Sequence, residues 1–161
     1  MYATRVSRRV NAPAAAVYRV LVDPDAVAAW RVPDGMSARV HAFDAREGGT
    51  FRVSLGYDDP GRAGKSGGHT DTYRGRFVRL VPGRLVVEEI EFETDDDALH
   101  GAMTMTTSLT ETETDGVTDV VIVHEGIPDA IPREDNELGT RMALDKLARL
   151  AEGAVPPSGR M

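Results

Sequence analysis

From Thr50 to Tyr57 the chain alternates strictly: Phe51, Val53, Leu55 and Tyr57 share one parity, and Thr50, Arg52, Ser54 and Gly56 share the other. A period of two belongs to an extended strand with one packed face and one wet face. Strand-like segments precede and follow it, over 36–46, 70–81, 84–93, 102–113 and 117–125. Tight turns at Glu47-Gly48-Gly49, Pro82-Gly83 and Asp115-Gly116 separate three of the successive pairs. Connections this short fold a strand back on its neighbour and exclude the long crossovers that parallel strands need. The central part of the chain is therefore committed to an antiparallel sheet.

The ends add the other layer. Tyr2, Thr4, Val6 and Val10 alternate with Arg5, Ser7 and Arg9, giving a first strand. Pro13 suits a helix start, and Val17, Tyr18 and Leu21 form its apolar stripe. Asp23-Pro24 opens a second short helix that ends near Trp30, before the turn Val32-Pro33-Asp34-Gly35. Leu138, Met142, Leu147 and Leu150 predict one broad apolar face on a last helix from about Asp135 to Glu152. The fold class is α+β: a seven-stranded, curved antiparallel sheet around a long C-terminal helix, with two short helices between strands 1 and 2. Residues 1–152 read as a single domain and 153–161 as a flexible tail. The Gly-rich stretch from Asp58 to His69 reads as a mobile gate or as simple disorder. A sheet curved around one helix predicts an enclosed gap of ~300–1,000 Å³, suited to an apolar ligand.

Hydrophobic residues are 41% and charged residues 28%, an ordinary globular balance. The net charge of -7, from 26 acidic and 19 basic side chains, disfavours nucleic acid and anionic membrane as partners. Met1-Tyr2-Ala3-Thr4-Arg5 opens no signal peptide, and the absence of cysteine fits a cytoplasmic location.

Several patterns lack the context their chemistry needs. Gly64-Lys65-Ser66-Gly67-Gly68 has the Gly-x-Ser-x-Gly spacing of a hydrolase elbow, but it lies between two strands with no helix after it. The same stretch fails as a phosphate loop, because Asp59 stands where a glycine is required. His41, His69, His100 and His124 form no i, i+4 pair, so no metal site and no cofactor is expected. Asp95, Asp96 and Asp97 read as a solvated loop. Arg74, Arg76, Arg79 and Arg84 read mostly as the outer face of a strand, offset by cross-strand glutamates.

Glu88 stands apart, because Val86, Ile90 and Phe92 share its parity while Glu89, Glu91 and Glu93 take the other. An enclosed carboxylate needs a partner or must stay protonated. By parity with Val120 and Ile122, His124 is its nearest candidate partner. The cavity candidates are Trp30, Phe51, Val53, Tyr73, Phe77, Glu88, Ile90, Met103, Met105, His124 and Met142, with core packing the plainer role for the apolar ones. No catalytic residue is assigned.

Four stretches carry a resemblance: Asn11-Ala12-Pro13 with Val17 to Leu21 and Trp30; Phe43 through Arg46-Glu47-Gly48-Gly49-Thr50-Phe51; Tyr73 to Phe77 with Leu80-Val81-Pro82 and Arg84-Leu85-Val86; and His124-Glu125-Gly126 with Gly139 to Leu150. In this order they resemble the superfamily of steroidogenic-acute-regulatory-like lipid-transfer domains, birch-pollen-allergen-like proteins and polyketide cyclases. Within it the chain looks most like the bacterial branch named after the activator of the heat-shock-90 chaperone ATPase. The resemblance implies the helix-grip fold and a ligand cavity, and no particular activity. Where that family's last helix often begins Gly-Trp, this chain has Gly139-Thr140, which predicts a wider or wetter end to the cavity.

The expected function is a binding or carrier protein for a small hydrophobic molecule, with room for a homodimer. Second stands a cyclase- or hydro-lyase-like enzyme in which Tyr73, Glu88 or His124 moves protons. Third stands a co-chaperone in stress response, although the eukaryotic activators carry an additional N-terminal domain.

Overall fold

The computed structural model describes residues 1–57 and 70–153. The 58–69 stretch, with the Gly64–Gly68 pattern and His69, and the tail after Gly153 lie outside the described residues.

The elements follow one another as β1 (Tyr2–Val10), α1 (Ala14–Leu21), α2 (Pro24–Trp30), β2 (Met36–Phe43), β3 (Thr50–Tyr57), β4 (Thr70–Val81), β5 (Leu85–Phe92), β6 (Met103–Glu111), β7 (Thr118–Ile127) and α3 (Arg133–Gly153). A short 3-10 turn, Asp97–Leu99, interrupts the acidic loop that the sequence reads as irregular. Among the described residues the seven strands form one sheet in the order β1-β7-β6-β5-β4-β3-β2. Every neighbouring pair is antiparallel. The α+β, helix-grip architecture is thus present, with β1 joined to the far edge of the meander.

Local chemistry explains the joints. Asp23 caps α2 by accepting from the Asp25 N–H at 2.9 Å, and Pro24 supplies the preset first helical position. Gly48 turns the β2–β3 connection at φ +81°, a region that side-chain-bearing residues avoid. Register shifts between Val40 and Ala42 and between Phe77 and Arg79 insert a bulge in each strand. Bulges bend and twist the strand that carries them, which curves this sheet.

Gly75, in the middle of β4, answers a different need. An added Cβ there would lie 2.1 Å from the Glu89 carbonyl oxygen and 2.7 Å from Phe51 Cζ. The Phe51 ring occupies the space and continues into Phe77 and Tyr73, with centroids at 5.1 and 6.2 Å. This aromatic group fills the core at one end of the sheet.

The long helix corrects two expectations. Its buried residues are Leu144, Leu147, Ala148 and Ala151, which pack it on β1, α1 and α2. Leu138 is 57% exposed. It lies nine positions before Leu147, two and a half turns at 3.6 residues each, and so projects from the opposite side. Met142 is half-buried and outside the core cluster. Only the C-terminal half of α3 therefore grips the core, while its first turns stand off from β5 and β6. No helix among the described residues is long and apolar enough to cross a membrane.

Candidate functional site

Strand register lays one row of side chains across the concave face. Phe77 on β4 faces Glu88 on β5, Glu88 faces Met105 on β6, Met105 faces His124 on β7, and His124 faces Thr4 on β1. The row carries two titratable groups among apolar neighbours. Glu88 is 4% exposed, between the equally buried Val86 and Ile90.

The cation for Glu88 comes from outside the sheet. Arg31, the residue after α2, reaches Glu88 Oε1 with Nη1 at 2.6 Å. Its guanidinium lies 5.7 Å from the Trp30 ring centre and 5.3 Å from that of Tyr73, in cation–π range of both. Burial works against the Arg31 charge, but the Glu88 carboxylate and Tyr73 outweigh it and hold its pKa above the ordinary value. Burial pushes the Tyr73 phenol up, with Arg31 partly opposing. The Tyr73 hydroxyl is buried and has no hydrogen-bond partner among the described residues.

His124 therefore does not partner Glu88. Its Nδ1 lies 3.1 Å from Asn136 Nδ2 on α3, and the Thr4 hydroxyl donates to Asn136 Oδ1 at 2.6 Å. His124 Nε2 is buried without a partner among the described residues. Burial, with the positive field of Arg31 added, pushes its pKa down to about 4, so the ring is neutral at pH 7.

Between this row and the first turns of α3 lies a cleft of about 560 Å³. Leu55, Phe92, Leu99, Met103, Met105 and Ile131 give it apolar walls, while Arg31, Asp96, His124, Asp135, Asn136 and Thr140 supply its polar groups. Its size is within the expected range, yet it is open to solvent rather than enclosed. Gly139 and Thr140 of α3 line it.

Of the sequence candidates, Met103, Met105 and His124 line the cleft. Trp30, Phe51, Val53, Tyr73, Phe77 and Ile90 are buried in the core and form no part of its wall. Glu88 lies behind Arg31 and does not line it, nor does Met142. Sequence reading missed Arg31 and Asn136, and reached Thr140 only through the Gly139-Thr140 pair at one end of the cavity. A signal existed for the first, since a buried carboxylate calls for a cation and Arg31 follows a helix ending in buried Trp30.

The opposite face of the sheet holds a shallower depression of about 440 Å³ around Gly75. Its arginines are neutralised across strands: Arg74 to Glu91 at 2.7 Å, Arg76 to Glu89 at 3.5 Å, and Arg52 to Glu93 at 2.7 Å. It is a laced surface, not a free basic patch. Among the described residues no three His, Asp or Glu side chains converge as a metal site.

Residues 11–152 match the family profile described as Activator of Hsp90 ATPase homolog 1-like protein. The chain belongs to this family. A crystal structure of a protein from Chromobacterium violaceum is 36% identical, covering 94% of this chain and 97% of that one, with a TM-score of 0.83. A protein from Rhodobacter sphaeroides is 18% identical over 96% of this chain and 94% of its own, with a TM-score of 0.76. One from Arthrobacter aurescens is 15% identical over 99% and 93%, with a TM-score of 0.79. The last two likenesses concern the fold alone. No curated protein matches the chain.

Proposed function

We propose that this member of the Activator of Hsp90 ATPase homolog 1-like family binds or carries a small, largely apolar molecule in the cleft between β6, β7 and the start of α3. The cleft itself carries the reading: about 560 Å³ of space with hydrocarbon and thioether walls and a few polar groups among them. Small-molecule sites have this build, in which apolar area supplies affinity and sparse polar groups set orientation. Met103 and Met105 suit a wall that adapts to its occupant, because thioether side chains re-pack at low cost. An enzyme in this cleft would need titratable groups facing its contents. Of the proton-moving candidates named from the sequence, Tyr73, Glu88 and His124, the first two do not line it, and Glu88 is engaged by Arg31.

The test uses the uncharged dye N-phenyl-1-naphthylamine, whose fluorescence rises in apolar surroundings. The folded protein should bind it saturably at one site. Thr140→Trp, which places an indole in the gap, should weaken that binding by about tenfold or more. No saturable binding, or binding that Thr140→Trp leaves intact, would refute the cleft as the site.

A further inference from the structure

The orientation of the Asn136 amide assigns the proton of His124. Thr4 is buried, and its hydroxyl donates to Asn136 Oδ1 at 2.6 Å. That contact turns the amide nitrogen of Asn136 toward His124 Nδ1, 3.1 Å away. An amide nitrogen can only donate, so Nδ1 accepts. A neutral imidazole that accepts at Nδ1 carries its hydrogen on Nε2. The Nε2–H is thus a buried donor, on a residue that lines the cleft, with nothing among the described residues to receive it.

The charges nearby narrow what that receiver is. Arg31 also lines the cleft, but its charge is matched by Glu88 at 2.6 Å. Asp96 and Asp135 also line the cleft, in a chain of net charge -7. An anion entering here would find no spare positive charge and two carboxylates. An uncharged acceptor meets the donor without that penalty.

We propose that the occupant is an apolar molecule bearing an uncharged carbonyl, with its oxygen seated on His124 Nε2–H beside Arg31. The proposal rests on the binding reading above and adds the chemical class. Asn136 and Thr4 are positioning residues in it: they hold the ring in the donating tautomer. The same tautomer removes His124 from service as a general base, because Nε2 has no free lone pair to accept a proton.

Three probes of one shape test this: 2-acetylnaphthalene, 2-ethylnaphthalene and 2-naphthoate. In a cleft without a donor the ethyl compound binds best, since a ketone oxygen surrenders its water without return. With His124 donating, the ketone should bind about 3- to 10-fold tighter than the ethyl compound, and the carboxylate weakest. His124→Phe should reverse the ketone–ethyl order, and His124→Gln, which keeps an N–H, should retain part of the preference. Independently, a long-range proton–nitrogen NMR spectrum of the unaltered protein should show His124 protonated at Nε2. Binding of the ethyl compound equal to or tighter than the ketone overturns the carbonyl assignment while leaving the binding reading intact. Tightest binding of 2-naphthoate overturns the uncharged class, and a ring protonated at Nδ1 overturns the donor. If none of the three binds, the binding reading falls and takes this proposal with it.

Discussion

Arg31 holds Glu88 across the concave face at 2.6 Å, a contact between residues separated by 57 positions in the chain. Both are nearly out of water, at 10% and 6% side-chain exposure. Removing two charges from water is costly, and their attraction repays it only where geometry is good. Here the guanidinium is also packed between the Trp30 and Tyr73 rings, so the pair ties α2 to the centre of the sheet.

Breaking one half of that pair should therefore hurt more than removing both. Arg31→Met strands a buried carboxylate and should cost about 3–5 kcal/mol in urea unfolding. The double variant Arg31→Met, Glu88→Leu should recover most of the loss, because the site becomes apolar throughout. A single variant within about 1 kcal/mol of the parent would mean the carboxylate is solvated, contrary to its burial.

His124 makes stability depend on pH in a definite direction. Its folded pKa, about 4, lies below the ordinary 6.5, so the unfolded chain binds the proton more readily. The contribution is complete above pH 6.5, is lost as pH falls, and the loss levels off near pH 4. At most it amounts to about 3 kcal/mol. The groups that act on the ring are Arg31 from the end of α2, Asn136 from α3 and, through Asn136, Thr4 from β1; Asp96 and Asp135 line the same cleft. Unfolding of His124→Phe, followed from pH 7.5 to 4, should fall less steeply than that of the parent. Parallel curves would show that His124 titrates normally.

Gly75 should not tolerate even a methyl group. The Cβ of Gly75→Ala would meet the Glu89 carbonyl oxygen at 2.1 Å, and backbone cannot swing aside as a side chain can. Thermal unfolding should show a loss of about 2 kcal/mol or more, from strained pairing of β4 with β5. An unchanged midpoint would show that the two strands separate there at little cost.

Gly139 should behave in the opposite way. It lies inside α3, and nothing stands within 4 Å of an added Cβ. Gly139→Ala should stabilise by about 0.5–1 kcal/mol by restricting the unfolded backbone. A decrease in the denaturation midpoint would place an obstruction in the cleft at that point.

Alternation and turns determined most of the fold before any contact was known. The period of two over Thr50 to Tyr57 belongs to β3, and Val86, Glu88 and Ile90 are buried together, as their shared parity on β5 requires. Such signals are legible because side chains two apart in a strand share a face whatever the chain does elsewhere. The last helix was legible in extent but not in contact: Leu138 and Met142 count as apolar in any periodicity, and only the docking of Leu144, Leu147 and Ala151 on β1, α1 and α2 shows which side is core. The site was less legible still. His124 was drawn from the sequence as the partner of Glu88 because both follow strand parity, yet register sets Met105 between them. Their real partners, Arg31 and Asn136, come from helix ends, where no repeat relates a residue to a distant strand. Periodicity states which face a side chain takes; only the packed chain states what it meets there, because that depends on how separate elements are brought together in three dimensions.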